Sequence, residues 1–179
     1  MILPKNVYST IDSIVNNLSN AKTLSDYYKE KELIKSALKK PSTRTESHTY
    51  EFDLEIYDNE NNHYYFMEMK GPDPNTTEVP GAKRRLLTEM AWCMMKSGVK
   101  SVDSHFAIYY NNKFPKPYKN PKVLYYFNPD GGLLVHDQFW NFLGKNENTY
   151  FELIKIFQEY GKNNKERIWE AFSRLVVKK

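Results

Sequence analysis

Two periodicities divide this chain. From residue 5 to 20 the apolar positions Val7, Ile11, Ile14, Val15 and Leu18 recur at three- and four-residue steps, which lays them along one side of a helix. A second helix is predicted from Leu24 to Leu38, with Tyr28, Ile34, Ala37 and Leu38 as its inner side, before Pro41-Ser42-Thr43-Arg44-Thr45 breaks the pattern. The period then falls to two. Between Tyr50 and Tyr57, Phe52, Leu54 and Ile56 point one way and Glu51, Asp53 and Glu55 the other. Between His63 and Lys70, Tyr65, Met67 and Met69 form the apolar set, and Glu68 and Lys70 share the opposite face with Phe66. The connecting Asp58-Asn59-Glu60-Asn61-Asn62 tolerates left-handed turn conformations, so the two strands are expected to close as a hairpin. With Glu60 and Asn61 at its tip, Asp53 falls opposite Glu68 and Glu51 opposite Lys70.

Downstream, Gly71 to Gly81 reads as an irregular loop, followed by a helix from about Pro80 to Lys96 with Leu86, Leu87, Met90, Ala91 and Met94 inside and Gly98 beyond its end. Strands are predicted over His105–Tyr110, Val123–Phe127 and Leu133–Val135. A short helix is expected from Asp137 to Gly144. Thr149 and Glu152 have capping-box spacing for the next helix, with Leu153, Ile154 and Phe157 inside and Gly161 as its stop. A last helix carries Ile168, Trp169, Phe172 and Leu175, an apolar face for packing or for a dimer contact.

The hairpin register concentrates chemistry. Directly paired residues hold their side chains about 5 Å apart, and two carboxylates that close repel unless a cation bridges them. Hard oxygen donors suit Mg2+, so Asp53 and Glu68, with the Met69 carbonyl, would hold a metal against a phosphodiester. Lys70 would orient or help deprotonate the attacking water and offset charge on the phosphoryl oxygens. A solvated hairpin with alternating charges is the competing reading, because E-x-K alone is a weak pattern.

Phe52-Asp53-Leu54, followed by Tyr65-Phe66-Met67-Glu68-Met69-Lys70-Gly71-Pro72-Asp73-Pro74-Asn75, resembles the core of the PD-(D/E)XK nuclease superfamily. Within it the chain is similar to a group of type II restriction endonucleases whose E-x-K strand runs into a Pro-x-Pro-Asn loop and a basic helix, here Lys83-Arg84-Arg85-Leu86-Leu87. The likeness continues in Phe106-Ala107-Ile108-Tyr109-Tyr110-Asn111, in Gln138-Phe139-Trp140-Asn141-Phe142-Leu143-Gly144 and in Thr149–Ile154, covering roughly residues 50 to 160. Two departures stand out: Phe52 occupies the proline position of the superfamily name, and the family's Tyr-Asn-Pro stretch is here Tyr110-Asn111-Asn112-Lys113-Phe114-Pro115. The resemblance implies an α/β restriction-endonuclease-like fold, a mixed sheet flanked by helices. It also implies Asp53, Glu68 and Lys70 as catalytic residues and Mg2+ as cofactor. Nucleases of this superfamily often borrow a further acid from an early helix; Glu30, Glu32 and Glu46 are the candidates, each otherwise expected at the solvated surface.

Charge adds a substrate. The 179 residues are 40% hydrophobic and 27% charged with a net charge of +4, the modest excess expected of carboxylates ringed by lysines. Asn111 to Lys122 contains Lys113, Lys116, Lys119 and Lys122 without an acid, interleaved with Phe114 and Tyr118 and stiffened by three prolines. Such a loop reads either as a solvated connection or as a DNA contact. Lys83, Arg84 and Arg85 sit near a helix N-terminus, where the dipole disfavours cations and a phosphate would relieve the conflict. Lys83, Arg84, Arg85, Lys113, Lys116, Tyr118 and Lys119 are therefore the candidate contacts to double-stranded DNA. His48, His63, His105 and His136 lack metal-ligand spacing, and no glycine-rich loop calls for a nucleotide cofactor. The lone Cys93 sits among Met90, Met94 and Met95, as a packing residue of a reducing compartment. No apolar run reaches membrane-spanning length, and Met1-Ile2-Leu3-Pro4-Lys5 has no signal-peptide pattern, so a cytoplasmic location is expected.

Together these observations predict one nuclease domain, with a helical segment to about residue 45, a catalytic core over about 46–145 and C-terminal helices over about 146–179. The function they support is a Mg2+-dependent type II restriction endonuclease, acting as a homodimer on a short palindromic site. The alternatives are a non-catalytic DNA-binding or assembly subunit that kept the fold, and a structure-selective repair nuclease.

Overall fold

The computed structural model describes residues 1–21, 24–49 and 51–176, with Ala21 and residues 174–176 described by backbone alone. The strand start expected at Tyr50 and the inward side chain expected at Leu175 lie outside the described residues. The chain forms two compact units, Met1–His136 and Asp137–Lys179.

The first unit is built on a four-stranded mixed sheet. β3 (Leu54–Asp58) and β4 (His63–Lys70) make the antiparallel hairpin; β5 (Ser101–Ile108) and β6 (Leu133–Val135) then add in parallel, in the order β3-β4-β5-β6. A short antiparallel pair, β1 (Ile2–Pro4) with β2 (Thr45–Ser47), brackets helices α1 (Lys5–Ala21) and α2 (Tyr27–Leu38). The long helix α3 (Glu78–Met95) crosses from β4 to β5, as a parallel connection requires. Val7, Ile11 and Leu18 of α1, Ile34 of α2, Leu86, Leu87 and Met90 of α3, and Phe66, Phe106 and Ile108 of the sheet form one buried cluster. The fold is the α/β arrangement expected, a mixed sheet flanked by helices.

The hairpin register is the predicted one, since Leu54 pairs with Met67 and Asp58 with His63. Asp53 stands one position beyond the ladder, in line with Glu68. Phe52 also precedes the ladder and does not keep the alternation with Leu54 and Ile56. Its ring packs on Phe66, centroids 5.6 Å apart, and joins the core.

Several expectations need correction. In α2 the inward aromatic is Tyr27, 4% exposed, whereas Tyr28 is 63% exposed. Asp26 caps the helix by accepting from the Lys29 N–H, so the helix starts three residues after Leu24. Residues 123–127 are not a strand: Asn120 caps α4 (Pro121–Leu124), and the chain turns onward through the Phe127 N–H donating to the Val123 carbonyl. Val123 and Phe127, four apart, both enter the core by that turn.

In the second unit, α5 (Asp137–Gly144) is as expected, with Phe139 buried. For α6 (Thr149–Asn163) the capping box does not form. Asn148 is the cap residue, the Thr149 hydroxyl donates to the Asn146 carbonyl, and the helix runs through Gly161. Phe157 of α6 and Ile168, Trp169 and Phe172 of α7 (Lys165–Val176) are exposed, contrary to the burial expected for Phe157.

Candidate active site

The end of β4 and the segment entering β3 converge on three charged side chains. Asp53 is fixed by the residue after the one it faces: its Oδ2 accepts the Met69 N–H at 2.7 Å. Because Glu68 and Lys70 are two apart on one strand they share a face, and the Lys70 ammonium lies 2.8 Å from Glu68 Oε1 and 4.0 Å from Asp53 Oδ2. One cation thus gathers both carboxylates. The Glu68 side chain is 6% exposed and that of Asp53 is 43% exposed, so one acid is set into the protein and the other faces outward.

A buried carboxylate needs compensation, and Glu68 draws a second cation. Arg85, projecting from α3, donates from Nη2 to Glu68 Oε1 at 2.5 Å. Two acids and two bases leave the cluster formally neutral. Adding a divalent cation would create an excess of two positive charges, the complement of an anionic phosphodiester and an activated water.

The donor set can be tested against a metal. Oxygens of Asp53 and Glu68 already face a common positive centre, with the Met69 backbone held between them by its bond to Asp53. Among the described residues no three His, Cys, Asp or Glu side chains gather as a metal cage. Two carboxylates and a main-chain oxygen fit Mg2+, which keeps several waters and takes substrate oxygens. They do not fit zinc, whose structural and catalytic sites use His and Cys in greater number. Glu51 and Glu55, which the alternation put on the same face as Asp53, are both exposed.

The basic triplet of α3 is dispersed among three elements. Lys83 is 2% exposed and inside the protein, not on its surface. Its ammonium pairs with Glu30 Oε2 at 2.5 Å, donates to the Ser25 hydroxyl at 3.1 Å and lies 5.0 Å from the Phe127 ring centroid. Burial lowers its pKa while Glu30 opposes that shift. Lys83 is thus a buried ion-pair residue and not a surface cation for phosphate, and Glu30, 5% exposed, is its structural partner and not a surface acid. Arg84 donates to Asp12 of α1 at 2.8 Å. The conflict with the helix dipole is relieved by Glu30, Asp12 and Glu68 of the protein itself.

The loop after β5 keeps its lysines outward: Lys113, Lys116 and Lys119 are exposed. It is folded around Asn111, 5% exposed, whose Nδ2 donates to the Lys116 carbonyl and whose Oδ1 accepts the Lys113 N–H. The Asn111 N–H donates to His136 Nδ1, and Phe114 packs on that imidazole at 4.5 Å. Tyr118 is half-buried, and its hydroxyl donates to the Pro72 carbonyl at 2.9 Å, which docks the loop on the segment leaving the E-x-K strand. Sequence reasoning missed the Arg85–Glu68 contact and the Asn111 knot. The buried acid at position 68 implied a counter-charge, but nothing in the spacing said which base supplied it.

The sequence model of the type II restriction endonuclease family HinfI matches residues 2–161. The chain belongs to the HinfI family of type II restriction endonucleases. It also resembles the type II restriction enzyme MjaII of Methanocaldococcus jannaschii, 24% identical over 176 residues. That alignment covers 89% of this chain and 45% of the relative, so the chain spans less than half the length of the curated enzyme it matches. No solved structure matches the chain. Among the described residues no helix is long and apolar enough to cross a membrane.

Proposed function

We propose that this HinfI-family chain is a Mg2+-dependent type II restriction endonuclease that hydrolyses phosphodiester bonds of double-stranded DNA at a short symmetric site. The observation that carries the reading is the convergence of Asp53 and Glu68 on the Lys70 ammonium, 4.0 and 2.8 Å away, at the end of the E-x-K strand. Asp53, Glu68 and the Met69 carbonyl are the residues that would hold the metal. Bound there, Mg2+ supplies Lewis-acid polarisation of a phosphoryl oxygen and lowers the pKa of a coordinated water.

The chain's own groups do the rest. Lys70 presents its ammonium beside both carboxylates, where it orients the water that attacks phosphorus and offsets negative charge as one P–O bond forms and the bond to the leaving sugar oxygen breaks. Arg85 donates to Glu68 and keeps its carboxylate aimed at the site. The Met69 N–H holds Asp53 at the distance the strand register sets. Exposed Lys113, Lys116 and Lys119 supply sequence-independent phosphate contacts. Cutting both strands of a symmetric site requires two such centres related by a two-fold axis, so a homodimer is the working form. A cytoplasmic location agrees with the single, buried cysteine.

Incubating the protein with plasmid and Mg2+ and sequencing the fragment ends tests the reading. Discrete ends at one recurring sequence are expected. The Asp53→Ala variant should lose cleavage by at least a hundredfold, as for removal of a principal electrostatic group, while still shifting DNA in a gel. Undiminished cutting by that variant refutes the site, and binding without any Mg2+-dependent cutting by the wild type supports a non-catalytic subunit instead.

A further inference from the structure

Beside the end of the E-x-K strand lies a second feature, formed by the Pro72–Asp73 turn and the loop running to Lys122. Between them is a cleft of about 330 Å³. Its walls carry Lys113, Lys119 and Lys122, the amides of Asn112 and Asn120, and one acid, Asp73. The two segments are joined by the Tyr118 hydroxyl on the Pro72 carbonyl and by Asn120 Nδ2, which donates to Asp73 Oδ1 at 3.0 Å. The Tyr109 N–H donating to the Lys70 carbonyl ties the same loop to the catalytic strand.

Asp73 is out of place on a surface built to meet phosphates. Its carboxylate is 75% exposed, and a DNA backbone near it would be repelled. Yet it is held in position. Asn120 and Lys122, at 3.0 and 4.0 Å, both address Oδ1, leaving Oδ2 without a partner among the described residues. An ionised carboxylate only accepts hydrogen bonds. In a DNA groove the donors that suit it are exocyclic base amines, above all cytosine N4, because phosphates and sugar oxygens are acceptors.

We propose that Asp73 is a base-reading residue, accepting a hydrogen bond from a base amine through Oδ2 while the lysines around it take the flanking phosphates. The same arrangement discriminates against wrong sequences, since a base edge presenting only acceptors leaves the carboxylate unpaired and repelled. The inference rests on the duplex-cleaving function proposed above, and names one determinant of its specificity.

The test is cleavage of a randomised duplex library with Mg2+, read by end sequencing, for wild type, Asp73→Ala and Asp73→Asn. Sequencing of the bound fraction with Ca2+ in place of Mg2+ gives a readout independent of turnover. Asp73→Ala should keep the rest of the motif and lose selectivity at one C·G pair by a factor on the order of 5 to 150. Asp73→Asn, which preserves the side chain's shape and carries the comparison should the alanine variant fail to fold, should move preference at that pair towards adenine. Selectivity retained at every position, or weakened evenly across the motif, overturns the assignment. A wild type that selects no sequence and cuts no duplex sinks the proposed function itself, an outcome distinct from a clear wild-type motif that ignores position 73.

Discussion

Replacing Lys83 by methionine keeps the aliphatic stem that fills the core and removes only the charge. The Glu30 carboxylate, 5% exposed, would then keep the Ser25 hydroxyl at 2.7 Å as its neutral partner and lose the ammonium at 2.5 Å. Breaking a buried pair from one side costs about 3–5 kcal/mol, because the surviving charge is left in a low-dielectric site. The Phe127 ring, 5.0 Å from the ammonium, adds about 1 kcal/mol of lost cation–π attraction. At roughly 2–4 °C per kcal/mol for a chain of this size, these losses together should lower the melting temperature by about 8–24 °C. Removing both charges in a Lys83→Met, Glu30→Leu double variant should restore most of that loss, since an apolar pair of similar volume avoids desolvation altogether. Circular dichroism melts of the three proteins measure the effect. A parallel titration of DNA binding against salt separates the rival role, because a lysine on a phosphate lowers the slope of log K on log salt by about one when removed. An unchanged melting temperature with a shallower salt slope would refute the buried-pair account and return Lys83 to the DNA surface.

Three further outcomes can be checked. Arg85→Ala leaves Glu68 with Lys70 as its one ion-pair partner among the described residues and should cost about 1.5–3 kcal/mol in urea unfolding, with reduced plasmid cutting that Arg85→Lys partly restores. Burial raises the Glu89 carboxyl to about 7, and Glu55 reinforces the shift. A folded-state pKa above the unfolded value means stability present below about pH 4.5 is lost as pH rises through 7. Glu89→Gln should flatten that decline, worth a few kcal/mol, in denaturation curves at pH 5 and pH 8; parallel pH profiles for the two proteins would refute it. Finally, a Cβ at Gly131 would meet Tyr27 Cδ1 at 2.8 Å, so Gly131→Ala should destabilise by about 1–3 kcal/mol in thermal melts, and a neutral effect would place Tyr27 elsewhere.

The β3–β4 hairpin was legible because two constraints agreed: period-two alternation on both strands and a turn of Asp and Asn residues, which together place Asp53 in line with Glu68. The α1 stripe was equally plain, and Val7, Ile11, Ile14, Val15 and Leu18 are all buried. Errors fell where one local signal stood alone. Val123 to Phe127 carries strand-forming residues, but the Asn120–Pro121 start and four-residue spacing decided for a helical turn. Adjacent Tyr27 and Tyr28 are chemically identical, and only the cap at Asp26 fixes which one turns inward. Long-range pairing was the least readable. Nothing local distinguishes Lys83, which finds Glu30, from Arg85, which finds Glu68, although they are two residues apart.

That spread of partners gives α3 an unusual mechanical part. Lys83, Arg84 and Arg85 moor one helix turn to α2, to α1 and to Glu68 of β4 at once. A slip of the helix along its axis would break all three moorings together. Trimming the leading helices to make a smaller protein would therefore loosen the turn of α3 that carries Arg85, and with it the hold on Glu68.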